Sequence, residues 1–180
     1  TSIEIGVKTN WWDNRLTANL TGFSYYYDNY QSFQIVGLAA IVENAPHARV
    51  DGAELELLAK PFPFLTLNLN ATWMDARFTE FTSTDPMATG IGRVLLGISA
   101  EPQDLSGKRM VRSPEYTLSG GMQVMVPLPN FVPIVDGALA RLDAYWSDEI
   151  TFRPYSEPFD LRDAYSILNG TIAFASDGQM

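Results

Sequence analysis

The sequence contains no cysteine and only one histidine, His47. A disulfide framework, a Cys₂His₂ or HExxH zinc site and a cysteine protease are therefore excluded, and at most one imidazole is present for acid/base chemistry. Basic residues are also scarce, with 12 Lys and Arg against 21 Asp and Glu and a net charge of −9. Because phosphate backbones are bound by basic surfaces, we expect no nucleic-acid partner.

Long hydrophobic runs are missing as well. The longest stretch without a charged or strongly polar residue is residues 35–42, whereas a membrane-spanning helix needs about 20 apolar residues. Residues 1–12 lack the basic and apolar regions of a signal peptide, so we expect a mature or excised segment. The 180 residues are enough for one domain, but only 18% of them are charged, below the roughly 25% of soluble domains.

Alternation of apolar and polar residues is the main signal in this sequence. In residues 65–73 the odd positions are Leu65, Leu67, Leu69, Ala71 and Trp73, and the even positions are Thr or Asn. Such a period of two predicts a strand with one apolar and one polar face. The same alternation gives further apolar faces, formed by Ile3, Ile5, Val7 and Trp11; by Ala53, Leu55, Leu57 and Ala59; by Tyr116, Leu118, Met122, Val124 and Val126; by Ala138, Ala140, Leu142, Ala144 and Trp146; and by Leu168, Gly170, Ile172 and Phe174.

The segment 15–36 changes its apolar face part of the way along. Its apolar residues begin on one parity and continue on the other: Leu16, Ala18 and Leu20, then Phe23, Tyr25 and Tyr27. We interpret the change as a bulge near Gly22 or as a strand that continues past the apolar zone. Together with the other segments, it brings the prediction to about seven strands and no convincing helix.

The predicted connections differ in length from one end of the sheet to the other. Tight turns are expected at residues 13–14, 61–63 and 177–178, and a longer Pro-containing turn at 130–137. Longer loops are expected at the opposite end, at residues 37–46, 82–113 and 153–160. This arrangement indicates an antiparallel meander with its function at the end that carries the long loops.

The composition of the two strand faces indicates the environment of the sheet. The polar face consists mostly of Thr, Ser, Asn, Gly and Gln, and the apolar face carries aromatic residues toward strand ends, such as Trp11, Trp73, Tyr116 and Trp146. Long strands with this alternation are typical of an antiparallel up-and-down transmembrane β-barrel with lipid outside and water inside. The alternative is a soluble β-sandwich or β-helix, but sandwich strands average about five or six residues.

Several motifs extend this prediction to a family. They are ExGxK at residues 4–8, WWDNRL at 11–16, NLTGFxYxYxNYQ at 19–31, NAPHARVDGAELEL at 44–57, PFPFL at 61–65, DAxFxxF at 75–81 and DLSGKRMVRSPEY at 104–116. In their order and spacing they closely resemble the C-terminal part of TonB-dependent outer-membrane receptors. That family has a barrel of about 22 strands plugged by an N-terminal domain. The resemblance implies that residues 1–180 are a partial barrel domain without the plug, the TonB box and the last strands.

An odd number of strands agrees with a partial barrel, since bacterial single-chain barrels have even strand counts. By resemblance, the function would be TonB-driven import of a scarce solute across the outer membrane of a Gram-negative bacterium. A ferric siderophore is the first expectation, with cobalamin or a carbohydrate as alternatives. The implied partners are outer-membrane lipid, the rest of the barrel, the plug domain, TonB through that plug, and the solute.

Two other functions remain open from the residues alone. One is a passive porin-like channel or a small complete barrel, and the other is a secreted soluble β-sandwich that binds carbohydrate through Trp and Tyr. No catalytic residue, metal site or cofactor is expected. Three Asn-x-Thr sequons, the Glu54 and Glu56 pair and Ser106-Gly107-Lys108 are each better explained by a polar barrel interior or a solvated loop.

Ligand-binding residues are expected on the extracellular loops. The six candidates are His47, Arg49, Arg93, Asp104, Arg109 and Arg112. The long loop 82–113 is expected to shape the ligand entrance, and Asp85, Glu101 and Lys108 are further possible polar contacts on it.

Overall fold

The computed structural model describes residues 1–36, 39–88, 91–98, 100–132, 135–155 and 158–175. In chain order its elements are β1 (Ser2–Trp11), β2 (Leu16–Val36), β3 (Ala39–Phe62), β4 (Leu65–Glu80), β5 (Thr82–Ser83), a 3₁₀ turn at Pro86–Ala88, α1 (Ile91–Leu96), β6 (Gln103–Asp104), β7 (Tyr116–Val132), β8 (Val135–Ser147), β9 (Ile150–Thr151), a 3₁₀ turn at Pro158–Asp160, β10 (Leu161–Arg162) and β11 (Tyr165–Ala175). No helix in these residues is long and apolar enough to cross a membrane.

The described residues form one seven-stranded antiparallel sheet in the order β1-β2-β3-β4-β7-β8-β11. Each long strand therefore lies beside the next long strand in the chain, which confirms the predicted meander of about seven strands. Within the described residues, β1 and β11 each have a partner on one side only. Two short pairs, β5 with β6 and β9 with β10, lie in the long connections.

The register across the sheet confirms the predicted faces. One row of directly opposed residues is Val7, Leu20, Leu55, Ala71, Leu118 and Trp146, and the adjacent row is Lys8, Asn19, Glu56, Asn70, Ser119 and Tyr145. Opposed residues point to the same side of a sheet, so the predicted apolar sets share one side. We call the side of Leu55 the apolar face and the side of Glu56 the polar face.

The apolar face is uncovered over much of its area. The exposed fraction is 77% for Ile5, 68% for Leu168 and 73% for Ile172. An apolar patch of this extent is unfavourable in water, so this side of the sheet requires an apolar environment.

The structure decides between the two interpretations of residues 15–36 and shows that one loop prediction in the first half of the chain was wrong. β2 pairs with β1 and β3 through Gly22 without a register shift, so the strand continues past the apolar zone and has no bulge there. The expected loop at residues 37–46 is mostly strand, because β3 begins at Ala39 and pairs with Val36. Residues 37–38 lie outside the described residues.

The ends of the sheet differ largely as predicted. β1 and β2 are joined through Trp12, Asp13 and Asn14, which all have positive φ angles, and β3 and β4 are joined by two residues. The strands β7 and β8 extend into the predicted 130–137 turn, and residues 177–178 are not among the described residues. We call this the turn end and the opposite one the loop end. At the loop end the structure adds one short helix, the six-residue α1, where the sequence showed no convincing helix.

Candidate functional site

Between the turn end and the loop end, the polar face carries hydrogen bonds between neighbouring strands. The Nδ2 of Asn19 donates to Glu56 Oε2 at 3.1 Å, and the Nδ2 of Asn70 donates to Ser119 Oγ at 3.2 Å. Such polar side chains would be costly in hydrocarbon, so this face must contact water or polar protein groups.

Arg141 is the centre of a denser polar network on the same face. Its Nε donates to Asp143 at 2.7 Å, and other guanidinium nitrogens lie 3.4 Å from the side-chain oxygens of Gln123 and Asn68. Gly121 leaves the space for this network, because a Cβ there would come within 2.6 Å of oxygens on both Asn68 and Asp143. The network holds the Arg141 guanidinium in place on the polar face, with its charge paired with Asp143.

Toward the loop end, the polar face becomes aromatic. Phe23 stacks on Tyr25 with ring centroids 5.1 Å apart, and contacts of 4.8 to 6.4 Å continue the series through Tyr27, Tyr30, Phe78 and Phe81. Phe78 and Phe81 are buried with Leu105, Met110 and Tyr155 in the main apolar cluster. At the loop end, the polar face of the sheet is therefore covered by aromatic and other apolar side chains, and two loops pack against them.

The first loop, residues 81–115, folds back along β4. The amide of Phe78 donates to the carbonyl oxygen of Lys108 at 3.0 Å, and the amide of Met110 donates to that of Ala76 at 2.9 Å. The amide of Leu105 donates to the carbonyl oxygen of Phe81 at 2.8 Å. This part of the predicted loop is thus held against the wall by backbone hydrogen bonds.

The second loop, residues 148–164, meets the first loop through Arg153. This buried guanidinium contacts Asp160 at 2.6 Å and Asp85 of the first loop at 2.6 Å. Burial by itself lowers the pKa of Arg153, but hydrogen bonds to Asp160 and Asp85 outweigh burial and raise that pKa. Asp85, expected to be a possible solute contact, is fully buried and is held by Arg153 instead.

Two of the six predicted ligand residues lie on β3, with the parity of the apolar face. The Nδ1 of His47 is 3.0 Å from Asp28, its Nε2 is 3.6 Å from Glu80, and Arg49 pairs with Asp51 at 2.7 Å. All of these pairs are at least partly exposed. The structure therefore separates His47 and Arg49 from the polar face.

The other four predicted residues belong to the first loop. Asp104 is exposed, and hydrogen bonds from the hydroxyl and the backbone of Ser106 lower its pKa. Arg109 lies opposite Arg77 and pairs with Glu115, and exposed Arg112 donates its backbone amide to Thr151 of the second loop at 2.8 Å. Arg93 lies in α1, and its side chain is not among those described.

Sequence reasoning placed Arg153 and Asp160 in a loop at this end of the molecule but missed the contacts by which Arg153 joins the two loops. Arg153 and Asp85 are 68 positions apart, and no local pattern relates them. In the part of the chain that the structure describes, no group of three or more acidic or histidine side chains is placed to hold a metal ion. The arrangement that is present can bind through aromatic, ionic and hydrogen-bonding contacts.

A one-sided apolar antiparallel meander with a polar opposite face defines a segment of a transmembrane β-barrel. Residues 1–177 match the family model described as TonB dependent receptor-like, beta-barrel. The chain belongs to this family, as its motifs indicated.

Solved structures support the same fold. The siderophore receptor PiuA from Acinetobacter baumannii is similar with a TM-score of 0.67 at 18% identity, and the ferric yersiniabactin uptake receptor FyuA from Yersinia pestis with 0.66 at 14%. The ferric preacinetobactin receptor BauA from Acinetobacter baumannii is similar with 0.65 at 13%. Each similarity covers 98% of this chain but only 22% of the receptor, so the chain spans about a fifth of their length.

Proposed function

We propose that this chain is part of an active transporter in the outer membrane of a Gram-negative bacterium, where it supplies wall and loops for solute import. The family match over residues 1–177 is the observation that carries the proposal. The uncovered apolar face is suited to outer-membrane lipid, and the hydrogen-bonded polar face is suited to a wet or protein-filled interior.

The rest of such a transporter would adjoin both edges of the sheet. Exposed strand edges present unpaired amide and carbonyl groups, which further strands of a barrel would satisfy. In this proposal residues 1–180 are a partial barrel domain, and the plug and the last strands belong to other parts of the protein. The plug would lie against the polar face and would connect the transporter to TonB.

A ferric siderophore is the solute that we propose first, ahead of cobalamin or a carbohydrate. The descriptions of the similar structures support this choice, since PiuA is described as a siderophore receptor, FyuA as a ferric yersiniabactin uptake receptor and BauA as a ferric preacinetobactin receptor. Exposed Asp104 and Arg112 on the first loop are the solute contacts that we propose first, and Arg93 is kept as a candidate by its position on α1. His47 and Arg49 would need a solute approach from the apolar-face side. The same holds for Arg109, because it lies opposite Arg77, which lies opposite Arg49. No bond of the solute is broken or formed in this function.

Uptake by cells that carry the intact receptor tests the proposal. Cells would receive an iron-55 siderophore at low concentration, with or without a functional TonB protein. We expect accumulation that saturates and is lost when TonB is removed. Uptake that persists without TonB and rises linearly with outside concentration would instead identify a passive channel.

A further inference from the structure

We propose that the first and second loops hold each other in place as one cap, and that Arg153 is the positioning residue of that cap. The cap lies over the aromatic part of the polar face, which we call the aromatic wall and which consists of Phe23, Tyr25, Tyr27, Tyr30, Phe78 and Phe81. The inference rests on the proposed function only where it concerns the solute. The cap consists of residues 81–88 and 103–115 of the first loop and residues 148–155 and 158–164 of the second.

The first observation is the buried ion cluster between the loops. Arg153 is 7% exposed, and its two partners Asp85 and Asp160 are 0% and 4% exposed. One guanidinium thus bridges a carboxylate of each loop, and it also lies over the rings of Phe159 and Tyr155 at 5.3 and 5.5 Å. Removing one partner from such a cluster leaves a charge buried without compensation, which strongly disfavours the closed arrangement.

A second set of contacts joins the loops through groups other than the Arg153 guanidinium. The hydroxyl of Tyr155 lies 2.8 Å from Ser83 Oγ and donates to the carbonyl oxygen of Thr84 at 3.1 Å. The backbone amide of Arg112 donates to Thr151 at 2.8 Å. Side-chain and backbone bonds therefore connect the loops at separate points.

The cap is also anchored to the wall below it. Tyr155 of the second loop and Leu105 of the first loop are buried in one cluster with Phe78 of β4. Each loop therefore buries apolar side chains of the other loop. Moving one loop away from the sheet would expose apolar surface on both loops. By contrast, the last residues of α1 stay outside the cap, with Val94 82% and Leu95 74% exposed.

The consequence for binding is that the loops act as one body. The cap fixes the backbone of the first loop at Arg109, which lies opposite Arg77, and at Arg112, which is bonded to Thr151. Asp85 and Arg153 are too deeply buried to touch a solute themselves. Any effect of these two residues on solute binding must therefore act through the position of the cap.

Hydrogen exchange on the intact receptor, without solute, tests the coupling between the loops. Arg153→Met lies in the second loop, and we expect it to speed exchange of protected amides about a hundredfold in both loops. Asp85→Asn makes the reciprocal test, since it lies in the first loop and must loosen the second. The matched control is Arg162→Met, because Arg162 of the second loop contacts Ser147 and Tyr165 rather than the first loop. If either variant speeds exchange only in the loop that carries the substitution, the proposal is overturned.

Solute binding tests the positioning role separately. The probe is a ferric siderophore that the unmodified receptor binds, and the readouts are the dissociation constant and the amount of folded receptor in the membrane. We expect Arg153→Met and Asp85→Asn to weaken binding by a similar factor at normal receptor levels, and Arg153→Lys to restore part of it. Unchanged binding by receptors whose loops have loosened would contradict the positioning role. An unmodified receptor that binds no siderophore would contradict the proposed function, and the exchange result would stand by itself.

Discussion

The ring of Phe23 on β2 covers Gly52 on β3, its direct partner in the sheet. A Cβ at Gly52 would come within 2.3 Å of Phe23 Cζ and within 2.6 Å of the carbonyl oxygen of Trp73. Gly52 therefore has less room for a side chain than any other described glycine, because the Phe23 ring and the backbone of β4 both lie close to it. The ring in turn shields a strand position that has no side chain of its own.

Gly52→Ala should destabilise the intact receptor by about 1–3 kcal/mol, because the added methyl group displaces either the ring or the backbone of β4. Gly170→Ala on β11 is the matched control, since a Cβ there meets nothing within 4 Å. The measurement is denaturant unfolding of both variants in the same detergent. Equal destabilisation by the two substitutions would show that the contact with Phe23 has no energetic role.

A charge on β4 should have opposite consequences on the two faces. Leu69→Arg should cost about 2–4 kcal/mol if the residue lies near the bilayer midplane, whereas Asn70→Arg should cost little. Leu69 lies opposite Leu57, and Asn70 lies opposite Glu56, which would pair with the new guanidinium. Asn68 is a poorer control, because Arg141 already lies 3.4 Å from its side chain. Reversible folding of the intact receptor into lipid vesicles measures both values, and equal costs would refute the assignment of the faces.

Shortening the first loop should weaken solute uptake without preventing insertion. Ser83 pairs with Gln103, so deletion of residues 86–102 leaves Thr84 and Asp85 as a two-residue hairpin connection. The deletion removes α1 and Arg93 but keeps the ion cluster and Leu105. Siderophore uptake and the receptor level in the membrane are the two measurements. Unchanged uptake and affinity would exclude α1 from solute binding.

The faces of the strands could be predicted because they depend on local spacing. Leu65, Leu67 and Leu69 alternate with polar residues, and any antiparallel pairing in register preserves that alternation. Residues 39–46 were misassigned to a loop because they show no period of two. Their strand structure follows from pairing with β2, which local sequence does not specify.

The candidate site was less predictable than the fold. The motifs and loop lengths placed Asp104, Arg109 and Arg112 at the loop end, where the structure has them. The Asp85–Arg153 contact joins residues 68 positions apart, in loops that follow β4 and β8, the two strands that flank β7. Burial of an ionic group is a property of the assembled loops, and the sequence contains no local sign of it.

Spin labels along β4 provide the most direct test that this chain is a barrel wall between lipid and a wet interior. The chain has no cysteine of its own, so single cysteines at positions 65–72 of the intact receptor can each carry a nitroxide. Collision rates with oxygen, which concentrates in lipid, and with a water-soluble nickel complex would be measured in membranes. We predict a period of two, with oxygen favoured at 65, 67, 69 and 71 and nickel at 66, 68, 70 and 72. Equal access of nickel to both sets, or the reverse pattern, would contradict the assignment of the chain to a transmembrane barrel wall.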